Sequence, residues 1–137
     1  MSPTRMERLE SAIRIILQFN EAFNHHDVAG MLQRISSDCI VEDSVPAPDG
    51  KRHAGREALA QYWQGFLSAS PNTHNEIEEI FSLGEHCVMC WKSSWTDAAG
   101  KQAYLRGVDV FRVRNGLISE KILLRQGMNH GCISENS

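Results

Sequence analysis

The apolar residues of the first part of the chain recur at helical spacing. Between residues 6 and 24 they return every three or four positions, which predicts an amphipathic helix with one buried stripe formed by Leu9, Ala12, Ile13, Ile16, Phe19 and Phe23. Asp27 is a suitable N-cap for a short second helix, in which the same spacing continues through Val28, Met31, Leu32 and Ile35. A third helix is predicted from residue 56 to about residue 67. Its apolar side carries Leu59, Tyr62, Trp63 and Phe66.

The pattern changes to that of β-strands after residue 75. Strands are predicted at residues 76–82, 87–96, 103–114 and 117–124, and a shorter one at 39–43 runs into a loop rich in proline and glycine. Asn115-Gly116 is typical of a two-residue hairpin turn, because both positions tolerate positive φ. Three helices followed by a mostly antiparallel sheet of four or five strands give an α+β fold, with a pocket between the helices and the concave face of the sheet.

One acid lies on the apolar side of the longest predicted strand. Alternation places Asp109 on the same face as Leu105 and Phe111, whereas three arginines mark the opposite face as the wetter one. An ionised carboxylate is costly there unless it is paired or its pKa rises. Two alternatives stay open: Asp109 neutralises a core arginine, or a bulge turns it outward.

A second acid ends the strand at residues 39–43. By parity Asp43 shares a face with Cys39 and Val41, while Glu42 points the other way. The alternative is an exposed strand-end aspartate that begins a turn. In the strand at 87–96, Lys92 marks the wetter face, so the inward side is predicted to carry Met89, Trp91, Ser93 and Trp95.

Length and charge narrow the class of protein. The 137 residues fit a single domain, with a core from about residue 6 to 126 and a loose tail at 127–137. The formal charge of −3 comes from interspersed charges, so no basic patch argues for nucleic acid or an anionic membrane. Charged residues interrupt the N-terminal apolar run before it reaches the length of a signal peptide or a membrane span, so we expect a cytoplasmic protein.

The cysteines and histidines do not indicate a cofactor. Cys87 and Cys90 have a C-x-x-C spacing, but in a strand that offset sends the two side chains to opposite faces, and disulfides are not expected. The adjacent His25 and His26 are interpreted as exposed turn residues, since no other histidine has a suitable spacing for a metal. We therefore expect no metal site and no cofactor.

Three segments together resemble a known family. They are Ile-Val-Glu-Asp at 40–43, His-Ala-Gly-Arg-Glu-Ala-Leu-Ala-Gln-Tyr-Trp at 53–63, and Val-Asp-Val-Phe-Arg-Val at 108–113 before the Asn-Gly turn. From about residue 13 to 125 the chain resembles the SnoaL-like and ketosteroid isomerase branch of the NTF2-like superfamily. The resemblance implies a cone-shaped (cystatin-like) fold, a curved sheet wrapped on helices, an apolar pocket open at one end, and homodimers formed through the sheet.

The resemblance also implies roles for individual residues. Asp43 falls where ketosteroid isomerases carry their general base, and Asp109 falls on the protonated acid that donates a hydrogen bond to the enolate oxygen. Phe19 stands in the place of the tyrosine that supplies the other oxyanion donor, and Trp63 in that of a supporting tyrosine. Losing such a donor typically costs about 10²–10³ in rate, so efficient steroid isomerisation is not expected.

Three functions remain open at this point. The first is an enzyme that transfers protons next to a carbonyl in a small hydrophobic ligand, by isomerisation, cyclisation or dehydration, with Asp43 and Asp109 as catalytic residues. The second is a protein that binds such a ligand without reaction, and the third is a solid core whose sheet serves dimerisation or a protein partner. The predicted ligand contacts are Phe19, Trp63, Phe66, Met89, Trp91, Phe111 and Arg125. The alternative for Arg125 is a solvated strand-end arginine.

Overall fold

Helix α1 spans Arg5–Asn24 and begins with a reciprocal cap. The hydroxyl of Thr4 accepts a hydrogen bond from the Glu7 backbone N–H at 3.1 Å, and the Glu7 carboxylate accepts one from the Thr4 N–H, also at 3.1 Å. The helix predicted for residues 6–24 is therefore confirmed in this computed structural model, which describes residues 4–125. The predicted loose tail at 127–137 lies outside the described residues.

Helix α2 is shorter than the sequence pattern indicated. It spans Val28–Leu32, and its N-cap is Asp27, whose carboxylate accepts a hydrogen bond from the Gly30 N–H at 3.0 Å. The extension of this helix to Ile35 is wrong, because Ile35 opens a β-strand and pairs with Ile118. A β-branched side chain is well suited to that pleated, buried position. Helix α3 spans Arg56–Ala69 and buries Leu59, Trp63 and Leu67.

The sheet has six strands. They are β1 (Ile35–Asp43), β2 (Lys51–Ala54), β3 (His74–Leu83), β4 (His86–Thr96), β5 (Gln102–Arg114) and β6 (Leu117–Arg125). Their order across the sheet is β2-β1-β6-β5-β4-β3, and all neighbours are antiparallel except β1 and β6. The expected count of four or five was too low because β2, a short edge strand of mostly exposed polar residues, has no strand-like pattern. The α+β class and the three helices packed on a curved sheet are confirmed.

The strands alternate faces as the sequence predicted. In β5, Leu105, Asp109 and Phe111 are buried on the face towards the helices. The hairpin at Asn115 and Gly116 is also confirmed, with φ of 53° and 76° at the two positions. In β4, Cys87 is buried and Cys90 half-buried, as expected for a pair three residues apart in a strand.

The core lies between the three helices and this inner face. Its fully buried members include residues from every layer: Ile16, Met31, Leu59, Phe111 and Ile118. Between residues 4 and 125, no helix is both long and apolar enough to cross a membrane.

Candidate functional site

A cavity of about 180 Å³ lies at one end of the core. Of the residues predicted to act in a pocket, six line it: Asp43, Trp63, Phe66, Trp91, Asp109 and Arg125. Most of the cavity surface is apolar, and two further lining residues are of functional interest, Tyr62 and Lys121. The structure thus brings the two candidate acids to the same cavity.

Phe19, Met89 and Phe111 do not line the cavity, which corrects the expectation that they contact a ligand there. All three are at most 4% exposed and belong to the core. The Phe19 ring packs edge-on against Trp63 and Phe111, with centroid distances of 5.4 and 6.2 Å. The sequence pattern correctly predicted that these side chains point inward. The inward face extends beyond the cavity, however, and there the side chains pack against one another in the core.

Asp109 is buried in the cavity wall and has two polar partners. The Trp91 indole N–H donates a hydrogen bond to Asp109 Oδ1 at 2.9 Å, and Lys121 Nζ lies 3.7 Å from Asp109 Oδ2. The suggestion that a bulge turns Asp109 outward is therefore wrong. The other alternative, a core arginine beside Asp109, is correct in the charge of the neighbour but not in its identity, because the neighbouring cation is Lys121.

Burial dominates the ionisation of Asp109. Loss of solvent raises the pKa of this carboxyl above its ordinary value, against the opposing effects of Lys121 and of the Trp91 hydrogen bond. The charge on Asp43 adds a smaller upward contribution to the same pKa. The protonated form of Asp109 is therefore favoured in the fold relative to a solvated aspartate.

Gly107 makes the Trp91 contact with Asp109 sterically possible. It is the direct cross-strand partner of Trp91, and a Cβ at this position would lie 2.2 Å from Cζ2 of the indole ring. The same Cβ would lie 2.8 Å from the carbonyl oxygen of Leu124. Glycine inside a strand commonly marks such a close approach. The indole therefore lies against Gly107 and reaches the carboxylate two residues further along β5.

Asp43 is held by a two-point contact with Arg125. Nε and one terminal nitrogen of the guanidinium group donate to Oδ1 and Oδ2 at 3.1 and 2.9 Å. The backbone N–H of Val45 donates to Oδ1 at 3.0 Å, so Asp43 does begin a turn. Its side chain is nevertheless buried, and the exposed alternative for Asp43 is wrong. The solvated alternative for Arg125 is wrong as well, since its side chain is only 20% exposed.

Tyr62 extends the polar group around Asp43. Burial, together with the negative charge of Asp43, raises the pKa of the Tyr62 phenol to about 12, and the hydroxyl interacts directly with the Asp43 carboxylate. The ring stacks on His53 of β2 with centroids 4.1 Å apart. Tyr62 therefore remains a protonated hydrogen-bond donor at neutral pH.

Lys121 is the charged cavity residue that sequence reasoning missed. Ile118 is buried, and simple alternation from it would place Lys121 on the outer face. The pairing of β5 with β6 shifts register between the Val113–Ile118 and Arg112–Glu120 pairs, leaving Ser119 as an extra residue. This bulge reverses the parity of the second half of β6. The sequence carries one signal of this bulge, a serine within a strand of otherwise apolar and charged residues. A single serine is too weak a signal to predict a bulge.

Comparison with known proteins found one matching family and several solved structures of similar fold. The SnoaL-like domain family matches residues 16–121. A solved NTF2-like protein of unknown function from Mesorhizobium loti is 36% identical, with a TM-score of 0.74, 92% of this chain covered and 98% of that one. The comparison with curated proteins gave no match.

More distant structures share the fold. A Mycobacterium tuberculosis protein in complex with estradiol-17beta-hemisuccinate is 24% identical, with a TM-score of 0.71 and coverage of 82% of this chain and 92% of that one. TerC, co-crystallised with polyporic acid, is 17% identical, with a TM-score of 0.75 and coverage of 85% and 92%. Other matches are provisionally described as a hydroxylase, a ketosteroid isomerase and a polyketide cyclase.

Proposed function

The chain belongs to the SnoaL-like domain family, and from this premise we propose that it binds a small, mainly apolar carbonyl compound and transfers a proton next to the carbonyl. Isomerisation, cyclisation and dehydration are the reaction types that such a step serves. The observation that carries the proposal is the presence of two buried acids, Asp43 and Asp109, on the wall of one cavity. They come from different strands and have different electrostatic surroundings.

Because their surroundings differ, we assign a different role to each of the two acids. The guanidinium of Arg125 and the N–H of Val45 donate hydrogen bonds to the carboxylate of Asp43, and we assign this carboxylate as the general base. Asp109, whose burial favours the protonated form, is the hydrogen-bond donor to the carbonyl oxygen. Asp43 takes the proton from the carbon next to the carbonyl, the electron pair moves to the oxygen as an enolate, and Asp43 then returns the proton to carbon.

The lining of the cavity supports an apolar ligand. Most of its surface is apolar, with contributions from Trp63, Phe66, Trp91, Trp95 and Leu105, and charged groups are confined to the two acids and their cations. Two structurally similar proteins were crystallised with small molecules, one with polyporic acid and the other with estradiol-17beta-hemisuccinate. A ring system that bears an oxygen close to the acids would fit the apolar surface and the polar groups of this cavity.

The experiment follows hydrogen exchange from deuterated water into 2-tetralone, a cyclic ketone with acidic protons next to its carbonyl. We expect the protein to accelerate the exchange, and Asp43→Asn to reduce the catalysed rate by about 10²–10⁴ while leaving the affinity for the ketone nearly unchanged. Glu42→Gln is the matched control, because Glu42 precedes Asp43 in β1 and faces away from the cavity. Proton NMR reports both the exchange and the binding.

A non-catalytic binding protein is the second candidate, and one observation favours it. Arg125 contacts both oxygens of Asp43, so the proposed base must accept the substrate proton while it is held by an arginine. Binding of 2-tetralone with no exchange above the rate in buffer, and no difference between wild type and Asp43→Asn, would establish this candidate in place of the enzyme.

The proposal also covers the oligomeric state and the cellular location of the protein. A single cytoplasmic domain with its core from about residue 6 to 126 fits the small-molecule function. We further propose a homodimer formed through the outer face of the sheet, where Phe81 and Leu124 are about half exposed beside Val108 and Val110. Burial of this apolar surface against a second copy would stabilise the pair.

A further inference from the structure

Lys121 projects from β6 into the cavity wall. Its side chain is only 13% exposed, and it lies between two side chains of different kinds. On one side Nζ is 3.7 Å from Asp109 Oδ2, and on the other it is 5.7 Å from the centroid of the Phe19 ring, over its face. A buried ammonium group is costly, so its position requires partners for its charge.

The two protein partners do not use the full capacity of this ammonium group. It has three N–H donors, and a separation of 3.7 Å from Asp109 is longer than a hydrogen bond. The Phe19 ring offers a cation–π contact but no lone pair. At least one N–H remains for a group inside the cavity. The chemistry that satisfies it is an oxygen with negative charge.

The charge balance of the site favours the same ligand chemistry. Asp43 and Arg125 neutralise one another at one side of the cavity. At the other side, burial favours the protonated form of Asp109, and Lys121 is then a cation without a full countercharge. An oxyanion placed between Lys121 and Asp109 would restore neutrality.

We propose that Lys121 is a catalytic residue whose ammonium group binds the carbonyl oxygen of the substrate and stabilises the enolate, the task that Phe19 cannot perform. The proposal rests on the proposed function and deepens it by defining the ligand class: a cyclic or aromatic compound with an ionisable enol or phenol oxygen. When Asp43 removes the proton from carbon, the oxygen takes the negative charge, and Lys121 and Asp109 both donate hydrogen bonds to it. No covalent bond to Lys121 forms, and the lysine keeps its protons throughout.

The direct test uses 2-naphthol as an enolate mimic and naphthalene as its counterpart without oxygen. Phenols of this type are mostly neutral at pH 7, and the absorbance of the naphtholate differs from that of the neutral form, so the ionised fraction of bound ligand can be measured across pH. We expect the wild type to bind 2-naphthol more tightly than naphthalene and to ionise it at a pH below that needed in water.

The variants are Lys121→Met, which keeps the length and removes the charge, and Lys121→Arg, which keeps the charge. Lys121→Met should weaken binding of the naphtholate about 10- to 100-fold, as expected for a charge-assisted hydrogen bond, and leave naphthalene binding unchanged. Lys121→Arg should retain a large part of the ionisation. Lys92→Met is the matched control, because Lys92 likewise lies over an aromatic ring, Tyr104, but is half-buried on the outer face of the sheet.

The outcomes separate this proposal from the proposed function. Neutral 2-naphthol in the wild-type cavity, no binding of either probe, or equal naphtholate affinity in the wild type and in folded Lys121→Met would each overturn the role of Lys121. If 2-tetralone exchange then still depends on Asp43, the proton-transfer function stands without Lys121. Conversely, Lys121-dependent ionisation of 2-naphthol in a protein that exchanges no ketone protons would establish Lys121 as the oxyanion-binding group of a non-catalytic pocket.

Discussion

Asp43 and Asp109 lie level with one another on the inner face of the sheet, because each is the cross-strand partner of Leu123. β6 runs between them, and two strand spacings put their backbones about 10 Å apart. The two cations come from the same strand, two residues before and two residues after Leu123: Lys121 contacts Asp109, and Arg125 contacts Asp43. One strand therefore supplies each acid with a separate cation within one cavity.

The first prediction concerns the pH dependence of stability at Asp109. A pKa raised by burial means that the protonated group favours the fold fully below the unfolded pKa of about 4, and that this contribution is lost as pH rises through the folded pKa. Asp109→Asn mimics the protonated acid at every pH. The variant should therefore become more stable relative to wild type as the pH rises from 4 to 8, as measured by urea unfolding. A difference that moves the other way would mean that the Lys121 ion pair outweighs burial.

The second prediction concerns the ion pair of Asp43 and Arg125. Arg125→Met leaves the Asp43 carboxylate buried without its cation, and we expect a loss of about 3 kcal/mol in the free energy of unfolding at pH 7. Arg52→Met is the control, because Arg52 pairs with Glu42 at the exposed surface and its loss should cost less than about 1 kcal/mol. Equal effects of the two substitutions in urea unfolding would contradict a buried, two-point contact.

The sequence predicted which side chains point into the protein better than it predicted the contacts that they make. Alternation identified the inward acids Asp43 and Asp109, because a strand has only two faces and the residues used to read the parity, 39–43 and 105–111, alternate without interruption. It could not identify Lys121, because the bulge at Ser119 reverses the parity of β6. The pairing of β1 with β6 brings Arg125 to Asp43 across 82 positions of the chain, and no local pattern carries information about such a contact.

The same limit explains the residues that proved to be core. Phe19 and Phe111 have the hydrophobic character and the inward direction of ligand contacts. Whether an inward side chain meets a cavity or another side chain depends on how far the helices stand from the sheet at that point. That distance is set by packing of distant segments, here by the edge-on contacts of Phe19 with Trp63 and Phe111.

The third prediction concerns the outer face of the sheet. We expect a homodimer at micromolar concentration, and Val110→Glu together with Leu124→Glu should shift it to a monomer, because charges at the centre of a dimer interface are costly. Light scattering measures the mass directly. Leu17→Glu is the control, since Leu17 is an exposed apolar residue on α1, away from the sheet. A wild-type protein that scatters as a monomer would exclude the dimer at that concentration.

The fourth prediction concerns Gly107, which lies against Trp91. In Gly107→Ala the new methyl group would overlap the indole ring and approach the carbonyl oxygen of Leu124, so Trp91 must move. We expect a loss of about 1–3 kcal/mol in the free energy of unfolding, as for other insertions into a packed core. We also expect loss of the Trp91–Asp109 hydrogen bond, seen as a shift of the indole N–H resonance.

Gly65→Ala is the matched control for this substitution. Gly65 lies within α3 and has no atom within 4 Å of an added Cβ, so alanine there should stabilise the protein by about 0.5–1 kcal/mol through helix propensity. Loss of the Trp91 hydrogen bond removes one of the contacts that lower the pKa of Asp109. Gly107→Ala should therefore raise that pKa further, and a carbon-13 titration of the Asp109 carboxyl that shows no change or a fall would contradict the role of Gly107 in positioning Trp91.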